Sequence, residues 1–160
     1  MAGEPGIFRL ALISTGGTIE KTYSELGGVL SNQASVLDVM LAQLELDGLE
    51  VVRIPLMNKD SLEMTTEDHE RIADQVATES ARADGVVIVH GTDRLVDTGR
   101  QIHRQLPEPQ VPVVLTGAMR PWELRRTDAM QNLTEALMAV QLLEPGVWSV
   151  MHKRALRVPA

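Results

Sequence analysis

Two hydrophobic rhythms alternate along the chain. Short apolar runs at 8–14 (FRLALIS), 50–56 (EVVRIPL), 85–90 (GVVIVH), 111–115 (VPVVL) and 147–151 (VWSVM) have the length and make-up of buried strands. Between them, apolar residues return every three or four positions, which is the period of a helix packed on one face. Val36, Leu37, Met40, Leu41 and Leu44 form such a stripe behind a Ser35 cap, and Gly48 stops it. Thr66 and an acidic first turn open a second helix to about residue 83, with Ile72, Ala73, Val76 and Ala77 on one face. Residues 95–106 and 128–143 read as the third and fourth helices, and Pro55 should fall at the end of its strand. Strict alternation of strand and helix predicts a parallel sheet covered on both faces through right-handed crossovers. The stretch EKTYSELGGVLS fits neither rhythm, and Gly27-Gly28 within it predicts a hairpin or a mobile flap over 20–31.

Composition narrows this picture. The 160 residues, 17.6 kDa, suffice for one α/β domain and carry no internal repeat or interdomain linker. Phe8, Tyr23, Trp122 and Trp148 are the whole aromatic set, so the core must be aliphatic. A net charge of −7 offers no attraction to phosphate backbones or anionic lipid, which argues against nucleic-acid and membrane partners. Without cysteine there is no disulfide, thiolate nucleophile or thiolate-held zinc. The N-terminal MAGEPGIFRLALIS lacks the basic start and long apolar run of a secretory signal, and no segment has the length of a membrane span. The expectation is a cytoplasmic protein.

In an open parallel sheet, ligands bind where loops leave the carboxyl ends of the strands. Those ends read Ser14-Thr15-Gly16-Gly17-Thr18, Met57-Asn58-Lys59-Asp60-Ser61, His90-Gly91-Thr92-Asp93, Thr116-Gly117-Ala118-Met119-Arg120-Pro121 and His152-Lys153-Arg154. Glycine lets a backbone N–H approach a ligand closely, and Thr or Ser beside it supplies an oxygen that attacks or hydrogen-bonds. A pocket lined by Thr18, Ser61, Thr92 and Asp93 would be small and polar, suited to an amino acid or another compact polar molecule. Taken singly, each motif has a plainer reading: TGGT as a tight turn or phosphate cradle, Thr92-Asp93 as a helix cap, Tyr23 as a surface residue. Neither the dinucleotide fingerprint nor the nucleotide P-loop occurs, and the four histidines lack metal-ligand spacing, so no cofactor and no metal is expected.

Together the motifs are far more specific. TGGTIE at 15–20, HGTD at 90–93 and TGAMRP at 116–121, in that order and each at a strand end, resemble the N-terminal domain of the bacterial-type L-asparaginase and glutaminase-asparaginase family. The resemblance spans nearly the whole chain. It implies a doubly wound, mainly parallel, flavodoxin-like sheet with helices on both faces, here as a single domain over 1–160 without the family's C-terminal domain. It also implies an amidohydrolase that converts L-asparagine to L-aspartate and ammonia through an acyl-enzyme, with L-glutamine as an alternative substrate. By motif, Thr18 is the nucleophile and Thr92 the second essential hydroxyl, while Asp93 binds the substrate amino group. Tyr23 would help activate Thr18, Ser61 would hold the substrate carboxylate, and Gly17 and Gly91 would line the substrate site. Two positions depart from the family pattern. Arg94 stands where HGTD is normally followed by Thr, and the activating Lys has no counterpart at the usual distance, which leaves Lys153 as its substitute. An open polar pocket also predicts self-association, with Trp122 in MRPWELRR as the contact. The competing reading is a catalytically weak module of the same fold that binds aspartate or asparagine.

Overall fold

Consecutive residues of the inner strands are buried on opposite sides of one sheet, which is why their sequences read as unbroken apolar runs. Leu10, Leu12, Val87, Val89 and Val114 belong to one buried cluster and Ala11, Ile13, Val86, Ile88, Val113 and Leu115 to another. The structure is a computed structural model that describes residues 6–21 and 35–160. Its strands are β1 (Phe8–Gly16), β2 (Leu49–Lys59), β3 (Gly85–Val89), β4 (Pro112–Thr116), β5 (Gly146–Met151) and β6 (Arg154–Arg157). Its helices are α1 (Val36–Ala42), α2 (Thr66–Ser80), α3 (Leu95–Gln105) and α4 (Ala129–Leu142), with short 3-10 turns at Thr18–Glu20 and Ser61–Glu63.

Leu37 and Met40 of α1 join Leu133, Ala136, Leu137 and Val140 of α4 in the first cluster, while Ile72, Ala73 and Val76 of α2 join Leu95 and Ile102 of α3 in the second. Helices therefore cover both faces. Burial of each large aliphatic side chain contributes about 1.5–3 kcal/mol, and with so few aromatics the two aliphatic layers must supply most of the driving force. The strand order is β2-β1-β3-β4-β5-β6. Every neighbouring pair is parallel except β5 and β6. This is the doubly wound, mainly parallel sheet expected.

The structure differs from the sequence reading at three places. β2 runs through Pro55, which pairs with Ser14, because β2 lies at the sheet edge where one side needs no ladder donor. Thr65 rather than Thr66 caps α2: its hydroxyl accepts from the Asp68 N–H at 3.2 Å, and the Asp68 carboxylate accepts from the Thr65 N–H at 2.9 Å. β6 was not expected. It folds back on β5 through His152 and Lys153, whose φ values of 51° and 64° make a left-handed two-residue turn without the usual Asn-Gly signal. All four β6 residues are exposed, so no apolar alternation marks the strand in sequence.

Candidate active site

The chain runs outward from β1 to β2, then returns to lay β3 on the other side of β1, so the strand order reverses between β1 and β3. A crevice opens at such a switch point beyond the carboxyl ends of the two strands. Here the TGGT and HGTD turns meet at that point. Thr15, the first Thr of TGGT, is fully buried and donates its hydroxyl to the Val89 carbonyl at 2.8 Å, tying the strands together where they diverge. Gly17 has φ 86°, and a Cβ there would lie 2.6 Å from the Gly91 nitrogen. A Cβ on Gly91 would in turn lie 2.7 Å from Ser61 Oγ. Three strand-end loops thus meet at close quarters, and the glycines are what allow it.

Thr18 begins the 3-10 turn after β1 and is half-buried between the buried Gly17 and Ile19, Thr92 is half-buried, and Asp93 is exposed in the turn leading into α3. Among the described residues, the hydroxyls of Thr18 and Thr92 and the carboxylate of Asp93 have no hydrogen-bond partner, which leaves them available to a ligand. Ser61 is fully buried under Gly91, and its Oγ accepts from the Arg94 N–H at 3.3 Å, which leaves its own proton free to donate. The backbone of Arg94 therefore ties α3's entry to the Ser61 loop. Lys59 anchors that loop from the other end with bonds of 2.8 and 3.0 Å to the buried Asp68 carboxylate. The Lys59 ammonium and the Thr65 N–H hold this carboxyl below the usual range. Lys21 pairs with Asp60 at 3.5 Å. Lys153 sits in the β5–β6 turn, where its backbone N–H donates to Glu135. β4 separates β5 from β3, so the structure does not bring Lys153 beside Thr92. Tyr23 and the rest of the expected flap, 22–31, lie outside the described residues.

Several residues at the site carry no sequence signal. Glu20 accepts the Gly16 N–H at 3.0 Å, and burial raises its carboxyl from 4.5 to about 7, partly offset by the nearby Arg53 guanidinium. A carboxyl raised on folding adds stability that is complete below pH 4.5 and lost as pH climbs through about 7. Glu20→Gln keeps an acceptor for Gly16 and removes the titration. The variant should gain about 3 kcal/mol over the parent at pH 8 and nothing below pH 4, read from urea unfolding at both values. Equal stability of the two proteins at pH 8 would show that Glu20 is not held protonated.

The TGAMRP loop is shaped by α4. Asp128 accepts from the Met119 and Arg120 N–H groups and from His152 Nε2 at 2.6 Å, and Asn132 Nδ2 donates to the Gly117 carbonyl at 2.8 Å. Trp122, read above as a contact for a second copy, is half-buried against the α1–α4 core of its own chain. The four histidines have separate roles: His152 meets Asp128, His103 meets the Val158 carbonyl, and His69 and His90 share Thr98.

Comparison with known proteins agrees with this fold. The family described as asparaginase, N-terminal, matches residues 9–159. An L-asparaginase from Thermococcus kodakarensis is 32% identical over 140 residues, 88% of this chain and 43% of that protein. The solved thermostable L-asparaginase from the same organism superimposes with TM-score 0.81 at 30% identity, covering 92% of this chain and 45% of that one. A structure titled probable cytoplasmic L-asparaginase from Campylobacter jejuni gives TM-score 0.77 at 29% identity, over 94% and 48%. A component of the glutamyl-tRNA(Gln) amidotransferase from Thermoplasma acidophilum is 30% identical over 129 residues, 81% of this chain and 32% of that protein. The chain spans less than half the length of these relatives.

Proposed function

The chain belongs to the asparaginase family, whose N-terminal domain it matches, and from that premise we propose that it hydrolyses the side-chain amide of L-asparagine, with L-glutamine as the second substrate. The observation that carries this reading is the juxtaposition of the TGGT and HGTD turns at the β1–β3 switch point, with the Thr18 and Thr92 hydroxyls unpartnered among the described residues.

A carboxamide is a poor electrophile and needs a nucleophile, a proton acceptor and oxyanion donors. Thr18 Oγ attacks the amide carbon, and its proton is relayed through a second hydroxyl, that of Thr92 or Tyr23, to the leaving nitrogen. The oxyanion is met by the Thr92 N–H, which has no acceptor among the described residues. The C–N bond breaks as the nitrogen takes up a proton and leaves as ammonia. Water then cleaves the Thr18 ester, releasing aspartate and restoring the hydroxyl. Asp93, exposed at the rim, pairs with the substrate ammonium, and Ser61 and the Gly17 and Gly91 backbones shape the carboxylate end.

The test is ammonia release from L-asparagine and L-glutamine by the full chain. Its companion is calorimetry with aspartate, in which Asp93→Asn should weaken binding by about 1.5–3 kcal/mol, the loss of a charge-assisted hydrogen bond. Unchanged affinity would remove Asp93 from the ammonium site. One observation favours the binding-module reading: Lys21 and Lys59 are held in ion pairs and Lys153 lies beyond β4, so among the described residues no lysine stands beside Thr92. Aspartate binding without ammonia release would establish that reading. The relatives that are amidotransferase components make a larger assembly a further partner class, and self-association would cover the open crevice.

A further inference from the structure

Behind the HGTD loop, on the side of α2 and α3, three buried side chains form one hydrogen-bonded chain. His69 Nδ1 lies 2.6 Å from Thr98 Oγ1, Thr98 Oγ1 lies 2.7 Å from His90 Nε2, and His90 Nδ1 lies 2.7 Å from the Gly91 carbonyl oxygen. The two imidazoles are stacked, 6.3 Å between centroids and 11° between planes.

The direction of every proton in this chain follows from one end. A carbonyl only accepts, so His90 Nδ1 carries hydrogen. Burial lowers the His90 imidazole to about 4, so near neutrality its Nε2 is a bare acceptor that takes the Thr98 hydroxyl proton. Thr98 has then used its one proton and only accepts at His69, so His69 Nδ1 also carries hydrogen. Burial likewise lowers His69, and the charges around the pair, Asp97 and Asp68 opposed by Arg94, do not reverse the direction. Both rings are held neutral as Nδ1–H tautomers, the less common form of free histidine.

The far end of the chain is functional. A trans peptide places its C=O and N–H on opposite sides, so a Gly91 carbonyl drawn toward His90 turns the Thr92 N–H away from the α2–α3 layer. We propose that the His69–Thr98–His90 chain is a positioning element that clamps the Gly91–Thr92 peptide plane, so that the Thr92 N–H stays presented to the crevice as its oxyanion donor. His69 and Thr98 come from different helices, so the clamp also couples the packing of α2 on α3 to the loop that carries Thr92 and Asp93. The effect on turnover rests on the amidohydrolase reading; the clamp itself does not.

Thr98→Val keeps the side-chain shape and removes both inner hydrogen bonds, whereas Thr98→Ser keeps them. Histidine-selective 15N NMR of the full chain at pH 7 should show two Nδ1–H rings in the parent and in Thr98→Ser. In Thr98→Val, His69 should leave that tautomer and the Thr92 amide resonance should shift. Turnover of L-asparagine should fall about tenfold in Thr98→Val with KM unchanged, and Thr98→Ser should restore it. His69→Phe keeps the ring volume, carries the same expectation for the Thr92 amide, and serves where Thr98→Val does not fold. Nε2–H tautomers in the parent, or a Thr92 amide unmoved in folded Thr98→Val and in His69→Phe, would overturn the proposal. If the parent releases no ammonia while the tautomers and the amide shift follow expectation, the clamp stands and the amidohydrolase reading fails.

Discussion

Thr18→Val should lower ammonia release from L-asparagine by about a thousandfold or more, because it removes the attacking oxygen and leaves its neighbours in place. The substitution replaces a hydroxyl by a methyl of similar volume at a position whose hydroxyl makes no hydrogen bond among the described residues. Stability should therefore change little, and aspartate should still bind. Steady-state ammonia assays and urea unfolding separate the two effects. Turnover within a few-fold of the parent would move the nucleophile elsewhere, with Thr92 next to be tested.

Gly17→Ala should have the largest effect on the fold itself. With φ 86° and ψ −176°, Gly17 lies in a region that L residues essentially never occupy, which costs about 1–3 kcal/mol by itself. The added methyl would also lie 2.6 Å from the Gly91 nitrogen and 2.7 Å from its Cα, so backbone rather than a flexible side chain must yield. A loss of about 3 kcal/mol or more is expected, together with loss of aspartate binding, because the TGGT and HGTD turns are forced apart. Denaturant midpoints and calorimetry read these directly. A variant as stable as the parent, with full affinity, would show that the two turns need not touch.

Much of the architecture was legible as pattern. The inner parallel strands announce themselves because both their faces are buried, and the stripe from Val36 to Leu44 with its Ser35 cap announces α1. β6 was not legible, since Arg154, Ala155, Leu156 and Arg157 are all exposed and the strand exists only because the turn at 152–153 lays it along β5. Pro55 misplaced the end of β2 because the rule against proline in a strand applies to inner strands, and edge position is a property of the sheet order. At the site, the glycine and hydroxyl motifs named Thr18, Thr92, Asp93 and Ser61 without showing what surrounds them.

The sequence alone determined the fold class and the motifs at the strand ends, because periodicity and strand-end chemistry are local and are written in neighbouring residues. Tertiary structure decided everything that depends on residues far apart in the chain. It buried Glu20 so that its carboxyl rises to about 7, and it drew Lys59 onto Asp68 and placed β4 between Lys153 and Thr92. It also brought His69 of α2 and Thr98 of α3 into line behind His90. Burial and hydrogen-bond direction are set by the elements that pack around a residue, and in this protein those elements come from different crossovers of the sheet.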